Sequence, residues 1–102
     1  MEDKLCDLLT DEGISYERQV STGWGRADVV TDDTVYEVKL DLTQSVLFKA
    51  IGQVTLYAAA LKKPRRVIWG RMPDSDTMET LRVLAHSQGI RINVFPRGRS
   101  DA

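Results

Sequence analysis

An α/β sandwich around a mixed sheet is the fold class this sequence predicts, and three observations point to it. Ile14 to Val20 alternates apolar and polar, and Arg26 to Thr31 and Thr34 to Leu40 are short valine-rich, strand-like runs. From 43 to 62 the period becomes helical. Val67-Ile68-Trp69 is then a short continuous apolar run, as in a central strand buried on both faces. The implied order is helix, three strands, helix, strand, helix, strand: antiparallel hairpins first, crossover units after. At 102 residues the chain has room for one core, so residues 1–102 read as a single domain.

Leu5, Leu8 and Leu9, with Cys6 beside them, lie on one helical face, and Gly13 suits the position just past the helix end; this predicts a helix over 2–12. Ile14 to Val20 alternates as a half-exposed strand, and Ser21-Thr22-Gly23-Trp24-Gly25 is a loop. Arg26 to Thr31 and Thr34 to Leu40 are valine-rich strands with Asp32-Asp33 as turn residues. In the next helix Leu47, Ala50, Ile51, Val54, Ala58 and Leu61 make the apolar stripe, Thr43 is the N-cap and Pro64 the stop. Asp74 or Ser75 is expected to cap a third helix through Met78, Leu81, Leu84 and Ala85, ended by Gly89. Ile90, Ile92 and Val94 alternate as a last strand, before a polar tail from Pro96 that is expected to fray.

Composition narrows the chemistry. With 42% apolar and 28% charged residues the balance is that of an ordinary globular domain. No apolar run approaches the roughly 18 residues of a membrane span, and the acidic start Met1-Glu2-Asp3-Lys4 does not read as a secretory signal. A lone cysteine, Cys6, excludes an internal disulfide, and with a lone histidine, His86, it excludes Cys/His zinc sites and makes Ser-His or Cys-His hydrolysis improbable. A reducing, cytoplasmic compartment is expected. The net charge of −1 divides into −7 over residues 1–47 and +6 over 48–102. That split suits an acidic cation site beside a basic surface for a polyanion, or simply a solvated surface of both signs.

The central hairpin carries the sharpest signal. If Thr31 and Thr34 flank a two-residue turn, antiparallel partners have numbers summing to 65, and Asp28 faces Glu37 across the ladder. Their Cβ atoms would stand about 4.5–5.5 Å apart on one side of the sheet, with Lys39 two positions beyond Glu37 on the same side. Directly opposed like charges destabilise a strand pair. Either the face is open to water, or the pair holds a divalent cation; oxygen donors of this kind suit Mg²⁺ or Mn²⁺. Lys39 would then orient an attacking water or stabilise the charge growing on a phosphate.

Gly25-Arg26-Ala27-Asp28, an eight-residue gap and Glu37-Val38-Lys39 together resemble the core of the PD-(D/E)xK nuclease superfamily, with Ala27 where the name has proline. Gln53-Val54-Thr55-Leu56-Tyr57 is similar to the Gln-x-x-x-Tyr signature of its RecB-like branch. Glu2, ahead of the leucines, resembles the glutamate that contributes to the metal site in the N-terminal helix of archaeal Holliday junction resolvases. The likeness spans about residues 2–70, leaving the last helix and strand as an addition to the superfamily's αβββαβ core.

The resemblance implies a restriction-endonuclease-like sandwich and a Mg²⁺- or Mn²⁺-dependent DNA endonuclease, resolvase-like first. A RecB-like or phage-type nuclease, or a non-cleaving nucleic-acid-binding module, is the alternative. Asp28, Glu37, the Val38 carbonyl and Glu2 would hold the metal, Lys39 would serve the water or the transition state, and Gln53 would support orientation. Paired nicks imply a homodimer, in a prokaryotic or virus-encoded setting.

For DNA contact the candidates are Arg26, beside the acidic pair; Lys49 and Tyr57, which share a helix face with Gln53, Tyr57 either touching the site or merely packing; and Lys62 and Lys63 in the cluster Lys62-Lys63-Pro64-Arg65-Arg66. That cluster has an equally good structural reason, because cations at a helix C-terminus complement its dipole. Trp24 either stacks on a base or covers the sheet edge.

Overall fold

The computed structural model describes residues 2–71 and 76–94. The elements are α1 (Glu2–Asp11), β1 (Glu17–Ser21), β2 (Arg26–Val30), β3 (Thr34–Asp41), α2 (Gln44–Leu61), β4 (Arg65–Arg71), α3 (Asp76–Ser87) and β5 (Ile90–Val94). They form an α/β domain with one five-stranded sheet in the order β1-β2-β3-β4-β5. β1, β2 and β3 are antiparallel neighbours, while β3, β4 and β5 run parallel through the crossover helices. The mixed sheet and element order agree with the sequence reading. β1 starts only at Glu17, and Ile14 is 40% exposed, because the chain leaving α1 first completes the helix cap. The expected caps Asp74 and Ser75 and the tail from Pro96 lie outside the described residues.

Local chemistry fixes the helix ends. Gly13, at φ 73°, lets the Ile14 N–H reach the Leu9 carbonyl and its own N–H reach Thr10, at 2.9 and 3.0 Å. The Thr43 hydroxyl accepts the Val46 N–H at the start of α2. At its end the Lys63 N–H closes on the Ala58 carbonyl at 2.9 Å while Lys62 takes the left-handed conformation, and Pro64 follows.

Two apolar layers sandwich the sheet. On one side Leu5, Cys6 and Leu9 of α1 pack with Val29 and Trp69, flanked by Tyr16, Tyr36 and Val38. On the other, Leu47, Ala50, Val54, Tyr57 and Ala58 of α2 and Met78, Leu81 and Ala85 of α3 cover Val30, Val35, Ile68, Ile90 and Ile92. Leu84, expected in the core, is 46% exposed, because the stripe of this helix runs through Leu81 and Ala85 instead. Among the described residues no helix is long and apolar enough to cross a membrane.

Candidate active site

The turn that sets the hairpin register is built by its threonines. The Thr31 N–H bonds the Thr34 carbonyl at 2.9 Å, and the Thr34 N–H reaches the Thr31 hydroxyl at 3.2 Å. Both hydroxyls donate to the Asp33 carboxylate, which holds its pKa below the ordinary value. The β2–β3 ladder then pairs Val30 with Val35 and Val29 with Tyr36, so each pair sums to 65 as the sequence predicted. That register brings Asp28 level with Glu37.

At this level the two strands part. A continuing ladder would give the Val38 N–H to Ala27; the Asp28 carboxylate takes it instead, Oδ2 accepting at 2.8 Å. The Asp28 N–H approaches Glu37 Oε1 at 3.4 Å. Meanwhile Ala27 and Arg26 stay paired with Val20 and Ser21 of β1, so the tip of the β1–β2 hairpin leaves β3. The acidic pair occupies the opening.

Glu37 is 2% exposed. Burial in the layer between sheet and helices pushes its carboxyl up to about 7, with repulsion from Asp28 adding to the rise. Lys39 opposes this: its ammonium stands 3.7 Å from Glu37 Oε2, with the side chain 26% exposed. The Lys39 backbone is held close to β4 by Gly70, where an added Cβ would lie 2.2 Å from the Lys39 carbonyl oxygen. A register shift follows between Lys39 and Asp41.

Gln19 is a site residue the sequence reading missed. It lies on β1 level with Asp28, in the left-handed conformation at φ 53°, and its side-chain amide donates to Glu2 Oε1 at 3.1 Å and to Asp28 Oδ1 at 3.4 Å. The only available signal was the short Thr22–Gly25 loop, which places Ser21 opposite Arg26 and hence Gln19 opposite Asp28. Through Gln19 the N-terminal turn of α1 reaches the acidic pair. Glu2 does not join the pair directly: it is tied to Arg18 Nε at 2.8 Å, while Arg18 also holds Asp3.

The other candidates divide by position. Gln53 is half-buried on the sheet-facing side of α2, and its Oε1 is buried without a hydrogen-bond partner. Tyr57, expected on a DNA-contacting face, is 6% exposed and packs in the core with its hydroxyl beneath Gly25. The helix turns that face inward because Val54, Tyr57 and Ala58 together cover the sheet. Arg26 and Lys49 are exposed, as is Trp24 at 69%, which therefore does not cover the sheet edge.

The basic cluster sits at the start of β4, level with Thr34 rather than with Glu37. Lys63 donates to the Asp32 carbonyl at 2.8 Å, Arg65 approaches Asp33 at 3.8 Å and Arg66 caps the Gln88 carbonyl. Lys62 is exposed there. Three residues of strand separate this end from Glu37, or roughly 10 Å. A cleft of about 590 Å³ lined by Tyr16, Val20, Val30 and Lys63 is likewise apart from the acidic pair.

Among the described residues no three His, Cys, Asp or Glu side chains form a metal-holding group. Two carboxylates nevertheless fit a hard divalent ion, since Mg²⁺ is commonly held by one or two carboxylates plus water and substrate phosphate. The fit shows in Glu37, a nearly enclosed carboxylate kept beside another acid, and in the unpartnered oxygen of Gln53. Comparison with protein-family models, with curated proteins and with solved structures finds no match to this chain.

Proposed function

We propose that this chain is a divalent-cation-dependent deoxyribonuclease of the PD-(D/E)xK type, with a restriction-endonuclease-like sandwich and an endonucleolytic, resolvase-like action by a homodimer. One observation carries the reading: Asp28 and Glu37 meet where β2 and β3 part, with the Lys39 ammonium 3.7 Å from Glu37 Oε2. An acid pair alone would be a liability in a core layer, because burying like charges together raises the energy of both.

Asp28, Glu37 and the Val38 carbonyl would hold Mg²⁺ or Mn²⁺, and the ion would supply a Lewis acid for the phosphate. The chain's own groups do the remaining work. The Val38 N–H fixes Asp28 Oδ2 and so orients Oδ1. Lys39 would present its ammonium, as hydrogen-bond donor and positive charge, to the attacking water or to the phosphate oxygen on which charge grows. Gln53 offers its unpaired oxygen as a hydrogen-bond acceptor, and Gln19 couples Glu2 to Asp28. Arg26 and Lys49 supply exposed cations for the DNA backbone.

The test is a plasmid-nicking and four-way-junction assay with Mn²⁺, beside Mn²⁺ titration calorimetry of wild type and Glu37→Ala. Cation-dependent cleavage, lost in Lys39→Ala, is expected, with weaker Mn²⁺ binding in Glu37→Ala. Identical Mn²⁺ isotherms, or cleavage unchanged in Lys39→Ala, would refute it.

A further inference from the structure

We infer that Trp24 is a stacking platform for an unpaired base, so that the substrate is DNA with an unstacked strand beside the cleavage point. This rests on the nuclease reading for its choice of ligand, but the site itself stands on separate geometry. Trp24 is at the tip of the β1–β2 hairpin, the arm that leaves β3 where the acidic pair lies. Among the described residues it is the most exposed of the large apolar residues, at 69%.

The tip is rigid. The Thr22 N–H and hydroxyl both bond the Gly25 carbonyl, at 2.9 and 2.8 Å, and the Thr22 hydroxyl accepts the Trp24 N–H at 3.1 Å. Gly25, at φ 144°, lies over Tyr57 of α2, so that a Cβ added there would stand 2.5 Å from the Tyr57 hydroxyl. An indole on a fixed turn gives contact area with little ordering entropy left to lose.

The neighbours decide what it contacts. Ser21, Thr22, Gly23, Gly25 and Arg26 supply no apolar rim of the kind that shields an aromatic anchor in a protein interface. A nucleobase needs only the ring face, and every base has one. The exposed Arg26 adds a cation for the adjoining phosphate. Trp24 precedes Asp28 by four residues, at most about 13 Å of extended chain. That is about four steps of stacked DNA at ~3.4 Å each, so one strand reaches both. In an intact duplex the bases are stacked on one another and present no free face.

Intrinsic fluorescence tests this, because Trp69, 5% exposed, is an internal reference. In EDTA and low salt, a short oligothymidylate is expected to quench the exposed emission. Trp24→Phe should abolish that response while keeping most of the affinity. Trp24→Ala should weaken single-strand binding by about 5- to 150-fold, and change binding to a blunt duplex of equal length by less than about twofold. No quenching, equal quenching by duplex, or unchanged single-strand affinity in Trp24→Ala overturns the inference. Cleavage without quenching would leave the nuclease reading intact, and quenching without cation-dependent cleavage would sink that reading alone.

Discussion

Replacing Glu37 by glutamine should make the protein more stable in alkaline, metal-free buffer, and the size of the gain follows from the site. Burial and the neighbouring Asp28 raise the Glu37 carboxyl from an ordinary 4.5 to about 7. Between those values the folded state keeps a proton that the unfolded chain has released, so stability falls as pH rises through the window and levels off above it. At about 1.4 kcal/mol per pH unit, the loss is about 3 kcal/mol by pH 8. Glutamine mimics the protonated acid and can still accept the Asp28 N–H, so it lacks this loss. Urea denaturation in EDTA from pH 5 to 8 measures both proteins. The wild type should lose about 2–3 kcal/mol relative to Glu37→Gln across that range, and Mn²⁺ at pH 8 should restore much of it in the wild type only. Parallel pH profiles for the two proteins would refute the account of Glu37 as an enclosed, ionisation-resistant acid.

Three further outcomes are expected. Gly70→Ala places a Cβ 2.2 Å from the Lys39 carbonyl oxygen, and should lower stability by about 1–3 kcal/mol in urea; an unchanged midpoint would contradict the close β3–β4 approach. Gly25→Ala should also destabilise, and Tyr57→Phe in the same chain should recover part of the loss, because the first atom the new methyl meets is the Tyr57 hydroxyl at 2.5 Å. Strictly additive effects in that double-mutant cycle would place the two residues out of contact. Thr43→Ala removes the acceptor for the Val46 N–H at the start of α2 and should cost about 1 kcal/mol, read as a lower thermal midpoint.

Local signals made most of the fold legible. Period-two and helical spacing placed the elements, and Thr31 and Thr34 around Asp32-Asp33 gave a register that the ladder keeps at Val29↔Tyr36 and Val30↔Val35. What failed depended on which side of a helix or strand finally turned inward. Spacing set Tyr57 on one helix face with Gln53 and left contact or packing open for it; its ring fills the core under Gly25. Lys63 read as a surface cation, yet the end of α2 brings it onto the Asp32 carbonyl.

By itself the sequence determined the element order, the ends of α1 and α2 and the juxtaposition of Asp28 with Glu37, because all of these follow from neighbours along the chain or across one short turn. Tertiary structure alone decided the environment of that pair. The parting of β2 from β3, the burial of Glu37 and the reach of Gln19 from β1 to both Glu2 and Asp28 depend on elements distant in sequence. Burial and field at a carboxylate come from the sum of all surrounding groups, and no spacing along one chain encodes that sum.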